Sequence, residues 1–206
     1  MTRVIVVIAV ALAVAPGARA DVYIRPLVEH VSATNVSVDG PKTDASRFCG
    51  GIAVGCCFGG NDEVDLGLEF SSCKLTAPSY ETYSGKYPYG RSFQNTDSLQ
   101  IQPYLATGRY RFGSKATRAR PYAGLVVGLT DLTAHSIAKG TNSPTMTDSS
   151  GSGTYVTVGG LVGIQIRLIE QVDLDVGYRY CQISSSHLTA ANVNTSVAYA
   201  GIGFRF

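Results

Sequence analysis

Hydrophobic and polar residues alternate with a period of two along most of the chain. In residues 196–206, apolar side chains alternate with small or polar ones: Ala198, Ala200, Ile202, Phe204 and Phe206 against Val197, Tyr199, Gly201, Gly203 and Arg205. Such alternation predicts a β-strand with two different faces. A strand of a membrane barrel turns its apolar face to lipid, whereas a strand of a soluble sandwich turns it to a core. One strand alone leaves both possibilities open.

The same alternation predicts eight strands, at residues 22–28, 48–58, 63–73, 98–112, 120–132, 154–168, 172–183 and 196–206. Polar connections that are mostly long, at 32–47, 74–97, 133–153 and 184–195, alternate with short turns at 59–62, 113–119 and 169–171. Bacterial barrels place short turns in the periplasm and long loops outside the cell. The pattern therefore predicts an all-β fold, an eight-stranded antiparallel up-and-down transmembrane β-barrel, whose last strand pairs with its first so that no edge is open in lipid.

The first twenty residues have the composition of a signal peptide. Arg3 precedes an apolar run at 4–14, and Ala18-Arg19-Ala20 has the form of a cleavage site. The run is shorter than the roughly 20 residues that a membrane-spanning helix needs. We therefore expect a cleaved signal peptide at 1–20 and an outer-membrane β-barrel domain at 21–206.

The charge balance gives no support to nucleic-acid binding. The whole chain has 17 Lys and Arg against 15 Asp and Glu, and Arg3 and Arg19 lie in the expected signal peptide. The mature chain is thus close to neutral, whereas nucleic-acid-binding domains carry a basic excess. The cysteines and histidines lack the spacing of metal ligands, so we expect neither a metal nor a cofactor.

The end of the chain resembles the assembly signal of Gram-negative outer-membrane barrels, carried here by Tyr199, Gly201, Phe204 and Phe206. With Pro121-Tyr122-Ala123-Gly124 and Val176-Gly177-Tyr178-Arg179-Tyr180, the whole mature chain is similar to eight-stranded barrels of the OmpA and OmpX type. The resemblance implies a monomer in the outer membrane of a Gram-negative bacterium, in contact with lipid and with the barrel-assembly machinery. It also implies a non-enzymatic surface protein, whose exposed loops serve structural, adhesion or recognition roles and meet a host or surface ligand.

Ten charged residues are predicted to point into the lumen. An eight-stranded barrel is only wide enough for side chains to fill it, and buried ions must pair. We expect a structural salt-bridge network rather than a gated ion path, formed by Arg25, Glu29, Glu63, Asp65, Glu69, Arg167, Asp173, Asp175, Arg179 and Arg205.

More detailed predictions concern the arginines. The tight turn at 169–171 predicts an Arg167–Asp173 pair in the lumen. Arg205 of the next strand is predicted to share Asp173 or Asp175. Arg109 and Arg111 are predicted on the outward face near the periplasmic end, where long side chains reach lipid headgroups.

Cys49 and Cys73 are predicted to form a disulfide. If Phe58 pairs with Val64 across the first turn, counting back along both strands places the two cysteines opposite each other. Directly opposed Cα atoms lie about 4.5–5.5 Å apart, within the range for a disulfide. Of the other cysteines, Cys56 is predicted to face lipid, Cys57 to lie at the periplasmic end, and Cys181 near the outer end of a strand that is not a neighbour.

The sequence also allows other interpretations of its function. Tyr80, Tyr83, Tyr87 and Tyr89 suit either a contact surface or packing within a loop. Lipid A deacylases carry His-x-Ser-Asn at the position of Gln182-Ile183-Ser184-Ser185, but Gln182 is no base at neutral pH, so this enzyme class is disfavoured. A small passive pore and a soluble exported barrel that binds an apolar ligand are the further alternatives.

Overall fold

Nine antiparallel strands make up the fold in the computed structural model, which describes residues 21–36, 43–59, 62–76, 80–84, 91–140, 146–184 and 193–206. Within these ranges, no helix is long and apolar enough to cross a membrane. The strands are β1 (Asp21–Val36), β2 (Thr43–Phe58), β3 (Val64–Thr76), β4 (Tyr80–Ser84), β5 (Arg91–Arg111), β6 (Ala119–Gly140), β7 (Met146–Ile169), β8 (Val172–Ile183) and β9 (Val193–Arg205).

Eight of the strands close into a barrel. Each long strand pairs with its neighbours along the chain, β3 pairs with β5, and β1 pairs with β9, where Ile24 lies opposite Phe204. The short strand β4 pairs only with β5 in the described part of the chain, above the end of β3. The predicted eight-stranded antiparallel barrel, with its last strand beside its first, is confirmed.

The strands are longer than the sequence pattern predicts. β5, β6 and β7 have 21, 22 and 24 residues, whereas about 9–11 suffice to cross a bilayer. Much of the segments 74–97 and 133–153, predicted as loops, is therefore strand, as are both ends of 32–47. These hairpins continue because neighbouring strands satisfy each other's backbone hydrogen bonds, which requires no apolar side chains.

Inward and outward side chains alternate along each strand, as β6 shows. Leu125 and Val127 point outward with 75% and 55% of their surface exposed to the surroundings of the barrel, while Tyr122 and Val126 point inward and are 3% exposed. A row of large apolar side chains on the outside is what lipid requires. The inward assignments of β1, β8 and β9 follow the prediction.

The orientation of β5 is opposite to the one implied by the predicted outward position of Arg109 and Arg111. Leu99, Ile101 and Leu105 point into the lumen and are 1–3% exposed, whereas Tyr104 points outward and is 38% exposed. The prediction assumed that the more apolar face of a strand always faces lipid. That assumption fails here because the upper part of the lumen is itself apolar.

The lumen has two layers. Toward the long connections lies an apolar layer, which we define as Val31, Ala33, Leu75, Leu99, Ile101, Leu132, Ala134, Ile183 and Val193, each at most 5% exposed. Toward the short turns lies a layer of charged side chains. This order places the charged groups at the periplasmic end and an apolar plug above them.

Candidate functional site in the barrel lumen

Six arginines and six carboxylates are buried inside the described part of the barrel, and together we call them the ionic layer. Eight of the twelve are residues that the sequence predicts for the lumen, while Asp62, Arg109, Arg111 and Arg120 are not. The ionic layer consists of Arg25, Arg109, Arg111, Arg120, Arg179, Arg205, Glu29, Asp62, Asp65, Glu69, Asp173 and Asp175. Equal numbers of the two charges leave the layer formally neutral.

Arg109 lies at the centre of the ionic layer. Its Nη1 is 2.7 Å from Oδ2 of Asp175, and its Nη2 donates to Oε1 of Glu69. Nη1 of Arg25 lies 2.6 Å from the same Asp175 oxygen. Tyr122 donates from its hydroxyl to Oδ1 of Asp175. Strands β1, β3, β5, β6 and β8 are thus tied together through a few carboxylate oxygens.

Above Arg109, Arg179 connects two glutamates from different strands. Its Nη1 donates to Glu69, and its Nη2 is 3.1 Å from Oε1 of Glu29. Glu69 therefore binds both Arg179 and Arg109, one through each oxygen. Charge-assisted hydrogen bonds of this kind, with each Glu69 oxygen bound to a different arginine, offset the cost of removing these groups from water.

Below Arg109, Asp65 accepts hydrogen bonds from Tyr23 and Arg111. The Tyr23 hydroxyl donates to Oδ1 of Asp65 over 2.6 Å, and Nη2 of Arg111 donates to Oδ2. The Arg111 guanidinium also reaches the Asp62 carbonyl at 3.1 Å and Sγ of Cys57 at 3.2 Å. Arg111 thereby connects strand β5 to the turn between β2 and β3.

The periplasmic end of the layer is organised by Arg205. Its Nε donates to Oδ2 of Asp173 over 2.6 Å, and its Nη1 lies 3.2 Å from Oδ2 of Asp62. Gln165 also donates to Oδ2 of Asp173, over 3.0 Å. Lys115, from the turn between β5 and β6, reaches Asp62 at 2.9 Å.

The predicted outward position of Arg109 and Arg111 is wrong. They are 3% and 1% exposed and belong to the ionic layer. Both lie on the same face of β5 as Leu99 and Ile101, which occupy the apolar layer. Because residues on one face of a strand point the same way, assigning that apolar face to lipid also assigns the two arginines to the outside.

Arg167 and Glu63 stand at the edge of the layer rather than inside it. Arg167 is half-buried and lies opposite Asp173 in the β7–β8 register, as expected. Its Nη1, however, donates to the Lys115 carbonyl over 2.9 Å, while the Asp173 carboxylate accepts from Arg205. Glu63 is half-buried just before β3.

The structure joins Cys49 and Cys73 by a disulfide, with 5.4 Å between their Cα atoms. The predicted register is present, because Phe58 lies opposite Val64 and Gly50 opposite Ser72. The remaining cysteines are free and buried. Cys56, predicted to face lipid, lies opposite the outward-facing Val22 and Leu66, but its own short side chain is only 3% exposed.

The other predicted site residues lie on β9, just after it, and on β4. Tyr199 and Gly201 point inward, whereas Phe204 and Phe206 point outward with 42% and 77% of their surface exposed. The backbones of Tyr80 and Tyr83 belong to β4. Tyr87, Tyr89 and the signal peptide predicted at 1–20 lie outside the described residues.

Two alternatives from the sequence, the deacylase-type stretch at Gln182 and a metal site, can be compared with the described residues. Gln182 is exposed on the outer face of β8, opposite Val158 of β7 and Asn194 of β9. No group of three or more His, Cys, Asp or Glu within these residues is placed to hold a metal ion.

Little open space remains in the described lumen. A cavity of about 20 Å³ lies between the ionic and apolar layers, lined by residues that include Glu29, Ser71, Cys73, Ile101 and Arg179. A cavity of that size holds about one water molecule. The apolar layer closes the lumen above it, and Arg179 with its glutamates closes it below.

Several solved structures of outer-membrane proteins are similar to this chain. Neisserial surface protein A superposes with a TM-score of 0.57 at 20% identity, covering 90% of this chain and 97% of that one. OprG from Pseudomonas aeruginosa has a TM-score of 0.48 and 14% sequence identity, and the match covers 90% of this chain and 95% of OprG. Ail, the attachment invasion locus protein of Yersinia pestis, was solved in complex with the heparin analogue sucrose octasulfate. It has a TM-score of 0.49 and 15% sequence identity, and the match covers 92% of this chain and 99% of Ail.

The similarity to Neisserial surface protein A shows a shared fold alone, and a search of curated proteins finds no match. The family model for the outer membrane protein beta-barrel domain, however, matches residues 4–206. The strands described above span a lipid bilayer, and membership of this family identifies that bilayer as an outer membrane. The chain belongs to the outer membrane protein beta-barrel domain family and resides in the outer membrane of a Gram-negative bacterium.

Proposed function

We propose that this protein is a monomeric, non-enzymatic anchor that holds extended hairpins at the cell surface for adhesion or recognition. The observation that carries the proposal is the contrast between the lumen and the hairpins. The lumen is filled by an apolar layer and an ionic layer, whereas β5, β6 and β7 continue well past the length needed to cross a membrane.

The filled lumen argues against a passive pore. A hydrated ion entering from outside would have to pass between Leu75, Leu99, Leu132 and Ile183, all of which are at most 1% exposed. Below them, the guanidinium of Arg179 is fixed between Glu69 and Glu29. Transfer of an ion into such an apolar region is strongly unfavourable.

The hairpins form a sheet that stands above the apolar layer. Thr76, Ser98, His135 and Ser150 lie side by side on β3, β5, β6 and β7. From this level β5 extends back to Arg91, a further rise of roughly 20 Å at about 3.3 Å per residue. Strand β4 adds to the sheet at the same height. A host or surface ligand would meet this sheet first.

Trimming this sheet tests the proposed function. A two-residue Asn-Gly turn replaces residues 77–97, and a second replaces residues 136–149. Because Thr76 lies opposite Ser98 and His135 opposite Ser150, each turn closes a matched strand pair with the geometry that Asn-Gly favours. The apolar and ionic layers remain intact, so we expect the variant to insert and to keep its heat-modifiable mobility.

Bacteria that display the trimmed barrel are expected to lose binding to host-cell surfaces relative to bacteria that display the full protein at equal density. A matched control keeps every strand and changes only the exposed Arg118 to Ala, in the turn between β5 and β6 at the opposite end of the barrel, and is expected to bind as the full protein does. Equal binding by trimmed and full-length barrels would rule out the hairpins as the adhesive element.

We also propose that residues 1–20 are a cleaved signal peptide and that Tyr199, Gly201, Phe204 and Phe206 form an assembly signal. Support for the assembly signal comes from the position of Phe204 and Phe206 at the end of β9. Phe204 and Phe206 point outward, beside β1, where the barrel-assembly machinery could bind them before the β1–β9 pair closes.

Removal of Phe206 is expected to lower the amount of folded barrel in the outer membrane and to leave protease-sensitive precursor. The Phe206 side chain is 77% exposed, so its loss removes little packing from the folded state. Replacement of Phe112, another exposed aromatic at the periplasmic end, by alanine serves as the control. A normal level of heat-modifiable barrel without Phe206 would contradict the assembly role.

A further inference from the structure

Arg120 differs from the other arginines of the ionic layer. It is the second residue of β6, points inward and is 3% exposed, yet Nε, Nη1 and Nη2 all lack a hydrogen-bond partner among the described residues. Each of the other five arginines forms at least one ion pair with a carboxylate. A buried guanidinium without a counterion is strongly destabilising, so the position of Arg120 calls for an explanation.

The charges around Arg120 are mainly positive. Arg111, Arg167 and Arg205 face it from β5, β7 and β9, and Asp62 faces it from the turn between β2 and β3. Asp62 is already engaged, because its Oδ2 binds both Arg205 and Lys115. The local balance around Arg120 therefore lacks negative charge.

We propose that Arg120 forms the base of a small anion site at the periplasmic end of the lumen, and that the site takes an oxyanion of the phosphate or sulfate type. A guanidinium presents five N–H donors in a planar fork that matches such oxyanions. The unpartnered Nε of Arg167 adds a further donor at the rim. The site is distinct from the paired centre around Arg109.

A competing arrangement satisfies Arg120 within the protein. Gln165 lies opposite Arg120 in the β6–β7 register, and its Oε1 has no partner, as is also true of Oδ1 of Asp173. A shift of the guanidinium toward these two oxygens would neutralise it without an anion. The two arrangements predict opposite responses to phosphate.

Equilibrium dialysis with radiolabelled inorganic phosphate tests the site on the complete barrel in octyl glucoside, a detergent without phosphate. The wild-type barrel is expected to bind one phosphate, and Arg120→Met is expected to bind none. Arg118→Met is the matched control, because Arg118 is an exposed arginine of the neighbouring turn and its loss should leave binding unchanged. Failure of the wild-type barrel to bind phosphate, or equal binding by Arg120→Met, would overturn the site.

Thermal unfolding gives an independent readout. Phosphate is expected to raise the unfolding temperature of the wild-type barrel in a saturable manner, by roughly 5 °C at high occupancy, relative to chloride at equal ionic strength. Arg120→Met should fold at least as well as wild type without phosphate, since it loses an unpaired buried charge, and should show no phosphate response. A response of equal size in both proteins would contradict the proposal.

A third arm distinguishes free phosphate from the phosphate of a lipid headgroup. If the site takes a headgroup, phosphatidylglycerol bicelles should abolish dialysable phosphate binding that is present in octyl glucoside. If it takes free phosphate, binding should persist in the bicelles. Either result supports a phosphate-type site at Arg120 and identifies its source.

Discussion

Replacing Arg109 by methionine is expected to lower the free energy of unfolding by about 3 kcal/mol, near the lower end of the range for breaking a buried ion pair. Arg109 binds Glu69 and Asp175 at the centre of the ionic layer and is 3% exposed. Its removal leaves each carboxylate with a single arginine, Arg179 or Arg25. The loss stays below that of a fully isolated charge because those arginines remain.

Urea unfolding in lipid vesicles measures the effect, and Arg118→Met provides the control for loss of an arginine outside the ionic layer. That control should change the free energy of unfolding by no more than about 0.5 kcal/mol, as is usual for surface positions. A comparably small change for Arg109→Met would indicate that Arg109 reaches lipid headgroups and would contradict its place in the lumen.

Removal of the Cys49–Cys73 disulfide is expected to cost about 3.5 kcal/mol for a loop of this size. The bond joins residues 24 positions apart on β2 and β3 and restricts the unfolded chain far more than the folded barrel. The double variant Cys49→Ala/Cys73→Ala should therefore lose stability, and a reductant should lower wild type to nearly the same level. Cys181→Ala, which removes a free thiol, is the control for reductant sensitivity.

Peptide mapping under non-reducing conditions decides whether the bond forms in the cell. Protein isolated from intact outer membrane should yield the linked peptides that contain Cys49 and Cys73. Free thiols at both positions would exclude the disulfide, and the stability difference would then have another cause.

The sequence predicts the strands most accurately where polar and apolar residues contrast strongly. For β8, the predicted and observed limits are both Val172 and Ile183, because Asp173, Asp175 and Arg179 alternate with large apolar residues. The hairpin tips lack such contrast. Segment 146–153 consists mainly of Ser, Thr, Asp and Gly, so its pairing depends on backbone hydrogen bonds that the side chains do not reveal.

The orientation of β5 shows a second limit. Leu99 and Ile101 are apolar whether they face lipid or the apolar layer, and the sequence of one strand does not distinguish the two environments. Their position depends on what the opposite wall supplies, such as Leu132 and Ile183. The same error carried Arg109 and Arg111 to the wrong face.

The partners within the ionic layer depend on how strands are staggered around the barrel. Arg179 on β8 reaches Glu69 on β3 and Glu29 on β1, which lie 110 and 150 positions away along the chain. The alternation of residues identifies which side chains face inward but not which of them meet across the lumen. Among the charged residues, only the local pairing at the β7–β8 turn is counted from the sequence, and even there Asp173 accepts from Arg205 rather than from Arg167.

Single-channel recording in a planar bilayer tests most directly the central claim that the two lumen layers seal the barrel and leave it an anchor. The purified wild-type barrel should insert without producing conductance steps, because the apolar layer excludes ions and the ionic layer is fixed by paired charges. A porin reconstituted in the same bilayer shows that a channel would be detected. Reproducible conductance steps from the wild-type barrel, absent from mock-reconstituted bilayers, would contradict the sealed lumen and favour the pore.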